Sequence, residues 1–489
     1  MPNLIVVSNR EPYEHNSVDG GVVCQRTDGG LVSALDPVLK RIGGTWVAWG
    51  SGDADREVPG QVDSLPVPPD SPAYRLRRVW LDPAVVRNGG QGYANQVLWP
   101  LCHVTLDRVS YRKAFWAGYQ ELNRSFADTV LDELDKQPAS VWIHDYHLGI
   151  LPALIKKDSP DTTICHFWHV PWPGPEVFRI LPERRELLES LLAADCLTFQ
   201  TMSYATAFAD CVSEFLNASV SIDPSKAIVL YRGHQTKLTA RAISVHFNQF
   251  SDLAKSMEVE DLMARTRRRL GVSRGVRIGL GVDRLDYTKG LMKRLWALKD
   301  FFNRYPEYYG KFTFLQVAIP TRNNVEAYRQ YRDLIRKTVT EINEQFELPP
   351  EGKSKGWKPI EYIEGRVTPL TLVAYYRMAD LTLVSSVYDG MNLVAKEYVA
   401  SQVDETGVLA VSHLAGAAEE LSGALVVNPY DQEGMADSIR RALEMPEHER
   451  RERMRQMRLH LSTHDIYDWA ESCLRDVDVE VDHLQSVPG

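Results

Sequence analysis

The sequence is poor in cysteine and has no paired cysteines. Its six cysteines (Cys24, Cys102, Cys165, Cys196, Cys211 and Cys473) form no C-x-x-C pair, and Cys165 and Cys196 sit inside the apolar runs TTICHFWHV and ADCLTFQ. This excludes a disulfide scaffold and a thiolate zinc site, and predicts buried free thiols in a reducing compartment. No apolar run approaches the ~18 residues that cross a bilayer. Met1 leads straight into the strand-like LIVVSN without a signal-peptide pattern, so a cytoplasmic location is expected. Positive charge is in deficit, with 56 Lys+Arg against 65 Asp+Glu and a formal net charge of −9. That argues against a nucleic acid or an anionic membrane as the main partner. It leaves room for a small anionic substrate, which local arginines and helix ends can hold. Internal repeats and low-complexity segments are absent.

What is present is an alternation of short apolar runs and longer amphipathic stretches. The 489 residues, 44% hydrophobic and 25% charged, suit a soluble chain of two or three domains. Strands are expected at residues 4–8, 141–145, 162–170, 197–201, 276–282, 312–319, 360–363, 381–385, 408–412 and 425–428. They are apolar nearly throughout, as in parallel sheets covered on both faces. Between them, residues 31–42 place Leu31, Leu35, Val38, Leu39 and Ile42 on one helical face. The pattern predicts an α/β fold of two doubly wound, Rossmann-like domains facing a central cleft. The first covers residues 1–250 and the second 251–462, with a charged helix at 261–269. The stretch 246–252 reads as a hinge, and residues 463–489 as a helix and acidic tail packing back on the first domain.

The chemistry-bearing residues follow strand ends. Arg10 follows LIVVSN, and Asp28-Gly29-Gly30 opens a helix where backbone N–H groups can meet an anion. Arg284 and Lys289, in VDRLDYTKG, straddle a strand end and a helix start and can converge on one diphosphate. Asp389-Gly390-Met391-Asn392 precedes the helical LVAKEYVAS, with Asp389 as a candidate helix cap and Glu397 about two turns in. Two histidine pairs, His144 with His147 and His166 with His169, end neighbouring strands without a third zinc ligand, so no metal site is expected. The D-x-D pairs Asp53/Asp55 and Asp476/Asp478 read as solvated charge.

Taken in order, SNREPY, DGGLVSALDPVL, GGTWVAWG, NQVLWPLCH, HDYHL, HVPWP, VDRLDYTKG and YDGMNLVAKEYVASQ resemble the retaining GT-B glycosyltransferases typified by trehalose-6-phosphate synthase, glycosyltransferase family 20. The resemblance runs over nearly the whole chain. It implies transfer of glucose from an NDP-glucose to glucose 6-phosphate, giving α,α-trehalose 6-phosphate, with no cofactor and no metal. By motif, Arg284 and Lys289 would bind the donor diphosphate. Gly30, His169 and Asp389 would surround the transferred sugar, His169, Arg284, Lys289 and Asp389 forming the catalytic set. Gly390, Met391, Asn392 and Leu393 would offer backbone amides, Glu397 would hold the ribose, and Val367 would present backbone to the base. On the acceptor side the resemblance implies Arg10, Trp46, Trp99, Asp145 and Arg322.

The donor base is left open, as is the oligomeric state, the family being often dimeric or tetrameric. Two departures fall on the acceptor side. Gly90, in the glycine-rich loop 89–92, stands where the family usually has a tyrosine that contacts the acceptor phosphate, and the loop after Thr321 is about one residue short. Two alternatives therefore stay open. One is the same donor chemistry with another phosphorylated acceptor, such as glycerol 3-phosphate, an amino-sugar phosphate or a cyclitol phosphate, including C–N coupling. The other is a non-catalytic subunit that senses sugar phosphates.

Overall fold

A computed structural model describes residues 4–27, 29–58, 63–222, 227–271, 275–321, 325–347 and 357–476. The chain divides into two compact units. One runs to Ile243 and resumes at Ile466, and the other spans Ser244–Asp465.

The first unit carries β1 (Leu4–Arg10), β2 (Tyr13–Val18), β3 (Gly21–Arg26), β4 (Thr45–Trp49), β5 (Ser64–Val67), β6 (Tyr74–Val79), β7 (Ser140–His144), β8 (Ile164–Trp168), β9 (Cys196–Phe199), β10 (Ser219–Ile222), β11 (Ala227–Tyr231) and β12 (His234–Ala240). Among the described residues ten of these form one sheet, in the order β10-β11-β12-β9-β8-β7-β1-β4-β6-β5, while β2 and β3 make a separate hairpin. The strands from β12 to β6 run parallel, with antiparallel strands added at both edges. Winding reverses between β1 and β7, the place where doubly wound sheets open a crevice at their carboxyl edge. One face is covered by the helices Lys113–Lys136 and Leu151–Asp158, burying Val7, Val47, Phe126, Val130, Ile143 and Ile155. Each such side chain contributes roughly 1.5–3 kcal/mol on burial.

The second unit carries β13 (Arg277–Arg284), β14 (Phe312–Ile319), β15 (Ile360–Glu364), β16 (Leu381–Val384), β17 (Val408–Ser412) and β18 (Leu425–Val427). They form a parallel sheet in the order β15-β14-β13-β16-β17-β18, the winding of a dinucleotide-binding fold. Its reversal lies between β13 and β16. Phe301, Phe302, Phe312 and Phe314 are buried together under this sheet.

Four expectations are corrected. The glycine-rich segment 89–92 is no loop but lies inside a π-helix, Val86–Leu98. Gly89 and Gly92 are small because Gly118 and Phe115 of helix Lys113–Lys136 press against them: an added β-carbon would stand 2.5 Å from the Gly118 carbonyl oxygen or from the Phe115 ring. The expected hinge falls largely in the helix Phe247–Ala254. Asp55 is not solvated but fully buried against Arg78 at 2.6 Å. Asp476 likewise pairs with Lys237 and Arg241, its side chain only 4% exposed. Asp28, Arg322 and Asp478 lie outside the described residues. The strands β2 to β6 and β10 to β12 are not among those expected: polar residues interrupt β2, β3, β6 and β12, whereas β4 (TWVAW) and β11 (AIVLY) are themselves nearly continuous apolar runs.

Candidate active site

In the first unit Arg10, Asp145 and His169 stand at the carboxyl ends of β1, β7 and β8. Arg10 is the exposed last residue of β1, and an added β-carbon on Gly29 would stand 3.9 Å from its guanidinium. Gly30 is the first residue of the helix Gly30–Ile42. Asp145 follows β7 with φ 75°, a strained conformation for a non-glycine residue that often marks a functional turn. Its amide donates to the Phe167 carbonyl at 2.7 Å, tying β7 to β8. Arg10 and Asp145 thus flank the winding reversal.

His169 lies just beyond β8. Its Nε2 is 3.0 Å from Nδ1 of His144, and its Nδ1 is 3.3 Å from the side-chain amide of Gln200. Burial, with the neighbouring His166, holds its imidazole down at about 3, so it is neutral at physiological pH. Both tryptophans are buried. Trp46 is sealed from solvent and donates its indole N–H to Ser8 Oγ at 2.8 Å, while Ser8 donates to the Arg10 carbonyl at 2.9 Å. Its position is therefore that of a brace for the strand end bearing Arg10. Trp99 stacks near His103, ring centres 4.0 Å apart, and faces Tyr146 at 5.8 Å.

In the second unit the two loops at the reversal are locked together. Arg284 is exposed at the end of β13. Lys289 follows in a short turn capped by Asp286, whose carboxylate accepts from the Thr288 amide at 3.0 Å. Gly290 ends the turn with φ 66°, and a β-carbon there would lie 1.9 Å from the Ser385 carbonyl oxygen. Only glycine lets the loop after β13 come this close to the end of β16. Lys289 Nζ then reaches Asp389 Oδ2 at 2.6 Å. Ser386 Oγ and Asn392 Nδ2 donate to the same oxygen at 3.0 and 3.1 Å. Asp389 is consequently not the helix cap. That role belongs to Asn392, whose Oδ1 accepts from the Ala395 amide at 3.0 Å.

Gly390, Met391 and Asn392 are buried ahead of the helix Leu393–Ser401, whose first-turn N–H groups have no acceptor within the helix. A neighbouring loop supports them: the Asp389 amide donates to the Leu414 carbonyl at 2.9 Å, and the Ala417 amide to the Met391 carbonyl at 2.9 Å. Glu397 accepts from the buried Tyr376 hydroxyl at 2.6 Å. Burial lifts its carboxyl to about 7, against the lowering effect of the tyrosine bond. Val367 is half-buried between β15 and the helix Pro369–Met378. Among the described residues no group of three His, Cys, Asp or Glu side chains is disposed to hold a metal.

Gln200, Tyr376 and Ser386 were missed from the sequence. Gln200 and Ser386 carry the same signal as the residues that were found, a polar side chain directly after an apolar strand. Tyr376 is interior to a helix and gives none.

Comparison with known proteins bears on this geometry. A model of glycosyltransferase family 20 matches residues 2–479. The α,α-trehalose-phosphate synthase [UDP-forming] A of Dictyostelium discoideum is 32% identical over 476 residues, 97% of this chain, and the chain spans 62% of that protein's length. A structure from E. coli bound with UDP-2-fluoro glucose is 32% identical, covering 98% of this chain and 99% of that one, with a TM-score of 0.86. An α,α-trehalose-phosphate synthase (UDP-forming) from Burkholderia xenovorans, in complex with glucose-6-phosphate, is 31% identical, covering 97% and 99%, with a TM-score of 0.85.

Proposed function

The chain belongs to glycosyltransferase family 20, and on that premise we propose that it transfers glucose from UDP-glucose to glucose 6-phosphate, releasing UDP and α,α-trehalose 6-phosphate. Its two Rossmann-like units are those of the GT-B fold. Relatives holding a UDP-glucose analogue and glucose 6-phosphate support both substrates. The observation that carries the reading is the convergence of Lys289, Ser386 and Asn392 on one Asp389 oxygen at the winding reversal of the second unit.

The donor diphosphate lies at this reversal, its charge met by Arg284 and Lys289 and by the first-turn amides of the helix Leu393–Ser401. Glu397 takes the ribose and the backbone around Val367 the base. Asp389, held by three donors on one oxygen, orients sugar hydroxyls. A carboxylate so bonded is a poor nucleophile, unlike that of a retaining glycosidase. Transfer proceeds on one face of the sugar. The anomeric hydroxyl of the acceptor bonds to C1 as the C1–diphosphate bond breaks, and its proton passes to the departing diphosphate oxygen. The protein contributes positioning and charge stabilisation. On the acceptor side Arg10 and Arg322 meet the phosphate, Asp145 and Trp99 the sugar, with Gly30 and His169 at the transferred glucose.

A cytoplasmic location belongs to the same reading, supported by six free cysteines. No helix among the described residues is long and apolar enough to cross a membrane. The test is an endpoint assay of UDP-, ADP- and GDP-glucose against glucose 6-phosphate and a panel of other phosphorylated acceptors. The reading requires a hexose disaccharide phosphate, formed fastest from UDP-glucose and glucose 6-phosphate. Preference for another acceptor would overturn the acceptor assignment.

A further inference from the structure

The hydrogen bonds around His169 determine which of its nitrogens carries the proton. The Ile243 amide donates to Gln200 Oε1 at 3.0 Å. A backbone N–H is always a donor, so this bond fixes the side-chain amide, with its oxygen toward Ile243 and its NH2 toward His169. Gln200 Nε2 has only protons to offer, and it lies 3.3 Å from His169 Nδ1. Nδ1 must therefore accept, and the proton of the neutral ring sits on Nε2. Nε2 is 3.0 Å from His144 Nδ1, which accepts in turn, leaving the His144 proton on Nε2. That last nitrogen is buried and meets no partner among the described residues. The opposite arrangement would set two donors face to face, at Ile243 if the amide turned over or at His169 if it did not.

Packing fixes the ring itself. Phe167 stacks on His169 with centroids 4.2 Å apart, and Trp469, from the helix Ile466–Arg475, packs at 6.4 Å while also meeting Phe167 and Trp142 at 5.4 Å. The titratable groups at the ring are His144 and His166, both held well below the ordinary histidine range by burial.

We propose that Gln200 is a positioning residue for glucosyl transfer: it fixes the His169 tautomer, with the ring proton on Nε2 and Nδ1 covered. The ring then presents a single donor edge, shared between His144 and any sugar hydroxyl that approaches. This rests on the reading that His169 adjoins the transferred sugar.

Two substitutions separate tautomer control from simple support. Gln200→Met keeps the volume and removes both bonds. Gln200→Glu keeps the Ile243 bond but can only accept from His169, so it draws a proton onto Nδ1. A residue that only fills space predicts equal losses. Tautomer control predicts that kcat/KM for the donor falls in the order wild type, Gln200→Met, Gln200→Glu, the last about tenfold below the second, as for one misdirected hydrogen bond. It also predicts partial recovery of Gln200→Glu at low pH, where the neighbouring carboxylate raises the His169 pKa and the doubly protonated ring regains its Nε2 proton.

Ring 15N resonances of histidine-labelled protein, assigned with His169→Phe, read the proton directly. The wild-type ring must show Nε2–H, and Gln200→Glu must move toward Nδ1–H or the doubly protonated ring. An Nδ1–H wild-type ring, or equal losses in the two variants, overturns the proposal, and the wild-type spectrum decides even if a variant does not fold. A wild type that makes no disaccharide phosphate would instead refute the functional reading, and the ring spectrum would still stand on its own.

Discussion

Lys289 Nζ lies 2.6 Å from Asp389 Oδ2, joining the loops after β13 and β16 across 100 residues of sequence. This ion pair places a cation at the winding reversal before any substrate arrives. On the proposed function, replacing Lys289 or Arg284 by alanine removes a charge-assisted phosphate contact of about 1.5–3 kcal/mol. kcat/KM for the donor should fall roughly ten- to a hundredfold in each variant. Steady-state kinetics at fixed ionic strength check this, and unchanged donor kinetics would remove both residues from the site.

Gly290→Ala should damage the same place through the backbone. The new β-carbon would meet the Ser385 carbonyl oxygen at 1.9 Å in a left-handed conformation. The conformation alone costs about 1–2 kcal/mol. Denaturant unfolding should show at least that loss, together with a raised donor KM.

The Tyr376 bond to Glu397 predicts a pH effect. Burial raises the Glu397 carboxyl to about 7, and the tyrosine bond works against that rise. An ionised Glu397 is the better acceptor for ribose hydroxyls, so donor KM should rise as pH falls through 7. Tyr376→Phe removes the opposing bond and should move that inflection to higher pH. Superimposable pH profiles for wild type and variant would contradict the assignment.

A second carboxyl governs stability rather than binding. Glu11 Oε1 accepts from the Ser51 amide at 2.6 Å, and Glu11 Oε2 from Arg78 Nε at 3.0 Å. Burial, reinforced by Asp55, lifts its carboxyl from 4.5 to about 8. The folded chain therefore binds one more proton than the unfolded chain between those values, and stability falls as pH rises across that window. Melting curves from pH 5 to pH 9 should show the decline in wild type. Glu11→Gln, the isostere of the protonated acid, should keep a melting temperature close to that of wild type at pH 5, and that temperature should hardly change with pH over this window.

Much of this was legible in the sequence. Central strands such as β14 and β17 are continuous apolar runs, which is why residues 312–319 and 408–412 were placed to the residue. The loops after β13 and β16 were legible as candidates because polar residues at the end of an apolar strand have few structural reasons to be there. The hairpin of β2 and β3 was not, since its exposed Val22 and Val23 face solvent and produce no buried pattern. Nor was the burial of Trp46 or Asp55, which depends on Ser8 and Arg78, partners 38 and 23 residues away in sequence. The helix through Gly89 and Gly92 reads as a turn from composition, because glycine marks both a loop and a close helix contact. Only the presence of Gly118 opposite distinguishes the two.

On the proposed function, glucose is transferred with retention at the reversal held by Lys289 and Asp389. The most direct test of this is NMR of the product from UDP-glucose and glucose 6-phosphate, compared between wild type and Lys289→Ala. The expected product is a disaccharide phosphate with both anomeric centres α, made by wild type and nearly lost in the variant. A β-linked product, or equal yields from the two proteins, would contradict it.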